Sequence, residues 1–134
     1  MNTLSDIYKL MDSHDELYLP ESKMASLDDV ENAAKKLGVT FGSQLRELLL
    51  SKIVAIGSGI VSDYKEIVEE TKREWSSYPF TKGYVFFLSQ DEWHMFVDSD
   101  DNVYLVEVGG NKIEPQKKKL FDWIYDTAEE WYSL

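Results

Sequence analysis

Chemistry has few places to start in this chain. The run Asp98-Ser99-Asp100-Asp101-Asn102 sets oxygen ligands at alternate positions, as the first half of an EF-hand calcium loop does. The second half fails. Its sixth position, where a sharp turn calls for glycine, is Val103, and its twelfth, where a bidentate glutamate belongs, is Gly109. The run therefore reads as a solvated hairpin turn. Gly57-Ser58-Gly59 holds a serine between glycines without the spacing of a nucleophile elbow, and reads as a flexible turn. Nothing in the sequence brings His14 or His94 to that serine as a base. The two histidines have no partner spacing for a three-ligand zinc site. His94 sits in an apolar, aromatic run and reads as a packed residue, and His14 lies in a polar loop. With 25 acidic residues, carboxylate pairs arise by chance, and none is marked as a general acid. No phosphate-cradling loop and no dinucleotide fingerprint occurs. The expectation is a protein that is not an enzyme, with no catalytic residue, no metal and no cofactor.

The elements that would position these residues follow from periodicity. Leu4, Ile7, Tyr8 and Met11 predict a first helix over Thr3–Met11, followed by a polar loop to Ser26 with an extended piece at Leu17–Leu19. Ser26 and Asp29 form a capping-box-like pair, Leu27, Val30, Ala34 and Leu37 trace one face, and Gly38 supplies the left-handed stop. A third helix is expected over Ser43–Lys52, then a short strand or tight loop over residues 53–61, then a fourth helix from Asp63 to about Trp75. From Gly83 the period becomes that of strands. Tyr84–Leu88 reads as a central strand, and Trp93–Val97 and Val103–Val108 read as a hairpin around the acidic turn. Gly109-Gly110 turns the chain into a possible short strand at Lys112–Glu114, and Gln116–Trp131 is expected as a helix. In that reading Lys117-Lys118-Lys119 open the helix, where its dipole disfavours cations. Helices, an antiparallel meander and a closing helix make an α+β fold: a central antiparallel sheet flanked by N-terminal helices and a C-terminal helix, as one domain over residues 1–134.

Composition narrows the function classes. The chain has 134 residues, of which 43% are hydrophobic and 13% aromatic, which suits a packed domain and excludes a disordered acidic tail. There is no cysteine, which excludes disulfides and thiolate chemistry. The 14 basic residues against 25 acidic ones give a net charge of −11, which repels nucleic-acid phosphates and anionic membranes and attracts basic surfaces. No apolar stretch approaches the roughly 20 residues of a membrane span. The N-terminal residues lack a basic region followed by an apolar run, so a cytoplasmic location is expected.

The order of segments resembles a known family. The helix ending Lys36-Leu37-Gly38-Val39, followed by Phe41, Leu45 and Leu48-Leu49-Leu50, is similar to the opening signature of the SUKH superfamily. The glycine-bearing Ala55–Gly59, the helix Asp63–Trp75 with Thr71 and Arg73, and the strand Tyr84–Leu88 stand where that family has a Gly-rich connection, a helix and a strand. Phe96-Val97-Asp98, Asn102-Val103-Tyr104 and Leu120-Phe121-Asp122-Trp123-Ile124 resemble its hairpin and terminal helix, so the resemblance covers about residues 24–131, with residues 1–23 as an N-terminal helix and loop. The resemblance implies an immunity protein or antitoxin that binds and neutralises a cognate toxin, often a nuclease, with a general protein-interaction module of the same fold as the alternative. On that reading the partner presents a basic surface. The expected contact residues are the acids Asp98, Asp100, Asp101, Glu129 and Glu130 and the aromatics Trp93 and Trp131, tryptophan being a favoured anchor at interfaces.

Overall fold

The first two helices begin where their capping residues dictate. In the computed structural model, which describes residues 1–134, α1 spans Leu4–Asp12 and α2 spans Leu27–Leu37. Thr3 Oγ1 accepts the Asp6 N–H and Asp6 accepts the Thr3 N–H, and Ser26 and Asp29 repeat the exchange at α2. Gly38, at φ 69°, ends α2 in the left-handed region as expected. The loop between these helices contains a 3-10 turn at Glu21–Lys23, and its extended piece makes a single bridge, Tyr18 to Ile53.

Helix α3 spans Ser43–Leu50. The glycine-bearing segment is both of the things expected of it: β1 (Ala55–Ile56) and β2 (Gly59–Val61) pair as a hairpin whose tip is Gly57-Ser58. Helix α4 (Ile67–Ser77) starts later than its acidic residues promised. Asp63 Oδ1 accepts the N–H groups of Lys65 (2.8 Å) and Glu66 (2.9 Å), which makes a turn of residues 63–66 ahead of the helix.

The meander is complete: β3 (Val85–Gln90), β4 (Trp93–Val97), β5 (Asn102–Glu107) and β6 (Glu114–Lys119) follow β2 in one six-stranded antiparallel sheet in sequence order. The helix α5 spans Leu120–Tyr132. Here the expectation for the lysine run is corrected. Lys117, Lys118 and Lys119 lie on the edge strand β6, and α5 begins only after them. Helical apolar spacing starts at Leu120, so nothing upstream of it can hold residues 116–119 against the core as a helix. Pro115 and lysines are residues an edge strand tolerates, and they blunt its unpaired side.

One sheet face, with Val85, Leu88, Met95, Val97, Val103 and Leu105, meets α5 and the other helices in the main core. The opposite face carries the smaller cluster of Phe86, Phe96 and Val106. A bulge in β3 explains why Val85, Phe86, Phe87 and Leu88 are all buried: register passes from Phe86–Phe96 to Leu88–Met95, so both Phe87 and Leu88 reach the main core. Phe87 meets Trp123 of α5 edge to face at 5.6 Å. No helix is long and apolar enough to cross a membrane.

Candidate partner-binding groove

The acids of the β4–β5 turn are largely engaged inside the molecule. Asp98 accepts the Asp100 and Asn102 N–H groups, the Asn102 amide and the Tyr104 hydroxyl. Burial alone would raise the Asp98 pKa, but these hydrogen bonds outweigh it and hold the carboxyl below its ordinary range. Burial and the Asp98 carboxylate push the Tyr104 hydroxyl up to about 12. Asp101, at φ 64°, turns inward and is only 5% exposed. Its carboxylate accepts the Gln44 and Leu45 N–H groups, both at 3.0 Å, and so caps α3, which has no cap of its own. A Cβ on Gly42 would overlap that carboxylate, which accounts for the glycine. Asp101 is therefore withdrawn from any contact surface. Of the three turn acids, only Asp100 is exposed, and its carbonyl accepts a hydrogen bond from the Lys119 ammonium at 2.8 Å.

A second tertiary cap extends the first. Gln44 Oε1 accepts the Phe121 N–H at 2.8 Å at the start of α5, which also lacks a local cap. At the same end, Asp122 accepts the backbone and side-chain N–H groups of Asn2 at 2.7 and 3.1 Å. The turn thus holds α3, and α3 holds α5. That sets the position of α5 across the sheet, and with it Trp123, Glu130 and Trp131.

Trp93, Glu130 and Trp131 do come together. They line a groove of about 380 Å³ between α5 and the sheet, floored by Met95, Leu105 and Trp123. Trp93 is 48% and Trp131 43% exposed, whereas Trp123 is buried and Trp75 is half-buried, its indole N–H donated to the Tyr84 carbonyl at 2.8 Å. Glu107 stands directly across from Trp93 in the β4–β5 register, on the same face, and is exposed. Glu129 is exposed on the last turns of α5. The turn acids are not part of this assembly: Trp93 begins β4 and Asp98 follows its end, roughly 16 Å away at strand rise.

The groove also contains Gln90 and Gln116, which the sequence did not single out. Lys118, from the lysine run, lines it too and pairs with Asp126 at 2.8 Å. The hairpin turn Gly57-Ser58, expected only as a flexible turn, borders the groove: Ser58 Oγ accepts the Gln90 amide at 2.8 Å, and a Cβ on Gly57 (φ 61°) would crowd the Trp131 ring at 3.2 Å.

The remaining candidate groups stand apart. His94 pairs through Nδ1 with Glu74 of α4 and packs edge-on against Tyr78 and Phe86. The His14 ring stacks on Tyr132 at 3.7 Å. Neither hydrogen-bonds to Ser58, and no three of the His, Asp and Glu residues are arranged to hold a metal ion. What the groove offers is recognition: open indole faces, an apolar floor and carboxylates at the rim. No protein-family model matches the chain, and no curated protein matches it.

Proposed function

We propose that this chain is an immunity protein, which binds a cognate toxin one to one in the cytoplasm and masks a basic functional surface of it. The observation that carries the reading is the groove: two half-exposed tryptophans and Glu130, from β4 and α5, gather at one site on a molecule of net charge −11. Large aromatics that a core would bury are left open where carboxylates surround them, as a docking surface requires and a solubilising surface does not. The resemblance to the SUKH superfamily supports the same reading, and an acidic inhibitor fits the phosphate-binding surface of a nuclease by charge.

The test is co-expression with the product of the gene immediately upstream. The wild-type chain is expected to co-purify with that product and to rescue growth from it. The double variant Trp93→Ala/Trp131→Ala is expected to lose both, while Asp100→Ala, at the far end of β4, retains them. If the wild-type chain neither binds that product nor rescues growth from it, the reading is wrong.

A further inference from the structure

The groove has an electrostatic character more specific than a negative rim. Its two amide side chains each hold one N–H within the protein: Gln90 Nε2 donates to Ser58 Oγ at 2.8 Å, and Gln116 Nε2 donates to the Glu114 carbonyl at 3.1 Å. Neither side-chain carbonyl oxygen accepts a hydrogen bond within the protein, so both are free to accept one. The one cation of the lining, Lys118, is neutralised by Asp126 at 2.8 Å. Glu130 in the lining and Glu107 beside Trp93 have no cationic partner. The groove's unpaired carboxylate and its two amide carbonyls thus offer acceptors, and with Lys118 offset by Asp126 its remaining formal charge is negative.

The two half-exposed indoles also carry no cation. Lysine ammonium groups already lie over the rings of Tyr8, Tyr18, Tyr64 and Trp75, but none lies over Trp93 or Trp131, and neither of these pairs with another aromatic ring. An unoccupied indole beside unpaired carboxylates is the environment that attracts a cation.

The geometry points to an arginine side chain of the partner as the anchor of this groove, its guanidinium lying against the Trp93 and Trp131 indoles and donating to Glu130, Glu107 and the Gln90 and Gln116 carbonyls. Guanidinium matches the site better than ammonium. It is planar, so it stacks on an indole, and it carries five donors and no acceptor, so it can satisfy several oxygens at once. The volume of about 380 Å³ lies at the small end of ligand sites, which suits one or two side chains rather than a whole helix. This deepens the immunity reading and rests on it for the identity of the partner, but the site itself is testable alone.

The probe is N-acetyl-arginine methylamide, titrated into the full-length protein while the indole N–H resonances of the four tryptophans are followed by NMR. The resonances of Trp93 and Trp131 are expected to shift saturably in the millimolar range, with those of Trp75 and Trp123 shifting little. The uncharged isostere, N-acetyl-citrulline methylamide, is expected to bind at least tenfold more weakly. Glu130→Gln and Trp93→Ala, both at exposed positions, should each weaken arginine binding about fivefold with unchanged circular dichroism. Equal shifts with citrulline, equal affinity for the capped lysine, or full binding by Trp93→Ala would each overturn the assignment. A toxin captured through the groove with no arginine effect would sink this proposal and leave the immunity reading standing. Arginine binding without any toxin partner would do the reverse.

Discussion

The acid with the largest structural role is Asp101. Its side chain bonds two backbone N–H groups across 56 and 57 residues of sequence, and its backbone sits at φ 64°. Asp101→Ala removes the cap of α3 and puts a side chain with no local hydrogen bond into the left-handed region. It should lower stability by ~2 kcal/mol, measured by urea unfolding. Asp100→Ala, one residue away and exposed, should stay within about 0.5 kcal/mol. Asp98 differs again. Because its folded pKa lies below the ordinary 3.8, its stabilising effect is fully present above that value and is lost as pH falls through the folded pKa. The stability gap between wild type and Asp98→Asn should therefore be widest near neutral pH and close below about pH 3.8, in unfolding curves taken from pH 2 to 7. Glu70 has the opposite sign: burial raises its pKa, and Oε1 is buried without a hydrogen-bond partner, so its contribution falls as pH rises from 4.5. Using Asp98→Asn as the reference cancels that background. Neighbouring carboxylates of one acidic turn thus do three different things, and residue type alone does not separate them.

At the scale of elements, α4 substitutes for a missing strand. β2 pairs with β3 only at Ser89 and Leu88, which leaves the first half of β3 without a strand neighbour on that side. There Thr71 Oγ1 accepts the Phe86 N–H at 3.2 Å, the Trp75 indole donates to the Tyr84 carbonyl at 2.8 Å, and the Ser62 N–H donates to the Phe87 carbonyl at 2.8 Å. Thr71 is fully buried, so Thr71→Val keeps its volume and strands the Phe86 amide. The expected cost is ~1–3 kcal/mol, seen as a lower urea midpoint with an unchanged slope, and Thr71→Ser should recover most of it. At the other edge, β6 is protected by composition instead: Pro115 takes the place of one donor, Lys112 and Lys118 pair with Glu114 and Asp126, and Lys117 leaves the strand geometry at φ 60°. The free half of β3 and the outer side of β6 are closed by different means; the lysine run departs from its helical expectation, whereas Thr71 lies in α4 as expected.

For the whole molecule, charge governs encounter. Only three carboxylates stand in ion pairs with Arg46, Lys112 and Lys118, out of 25 acidic residues, so the surface potential is strongly negative. Association with a basic partner should slow about tenfold or more between 0.05 and 0.5 M salt in stopped-flow measurements, while dissociation changes far less. A salt-independent association rate would mean that the apolar floor of the groove, not the field, drives capture. The same potential disfavours phosphate backbones, so no gel shift of duplex DNA is expected at physiological salt.

Local signals were legible. Thr3, Ser26 and Gly38 cap their helices through atoms within a few residues, the alternation after Gly83 forms the meander, and the net charge is a property of composition. These depend on short-range geometry and on counting, which the chain order carries in full. The start of α5 lies later than residue propensity implies because lysines are good helix formers, and only the pairing of β6 with β5 overrides that tendency. The groove is a matter of tertiary structure throughout. Trp93 and Trp131 lie 38 positions apart, and they share a site because Asp101 caps α3, Gln44 of α3 caps α5, and α5 is thereby laid across the face of β4. Chain order establishes an acidic α+β molecule with four tryptophans; which two of them stand half-exposed at the groove depends on hydrogen bonds between residues more than fifty positions apart, and periodicity carries no record of those.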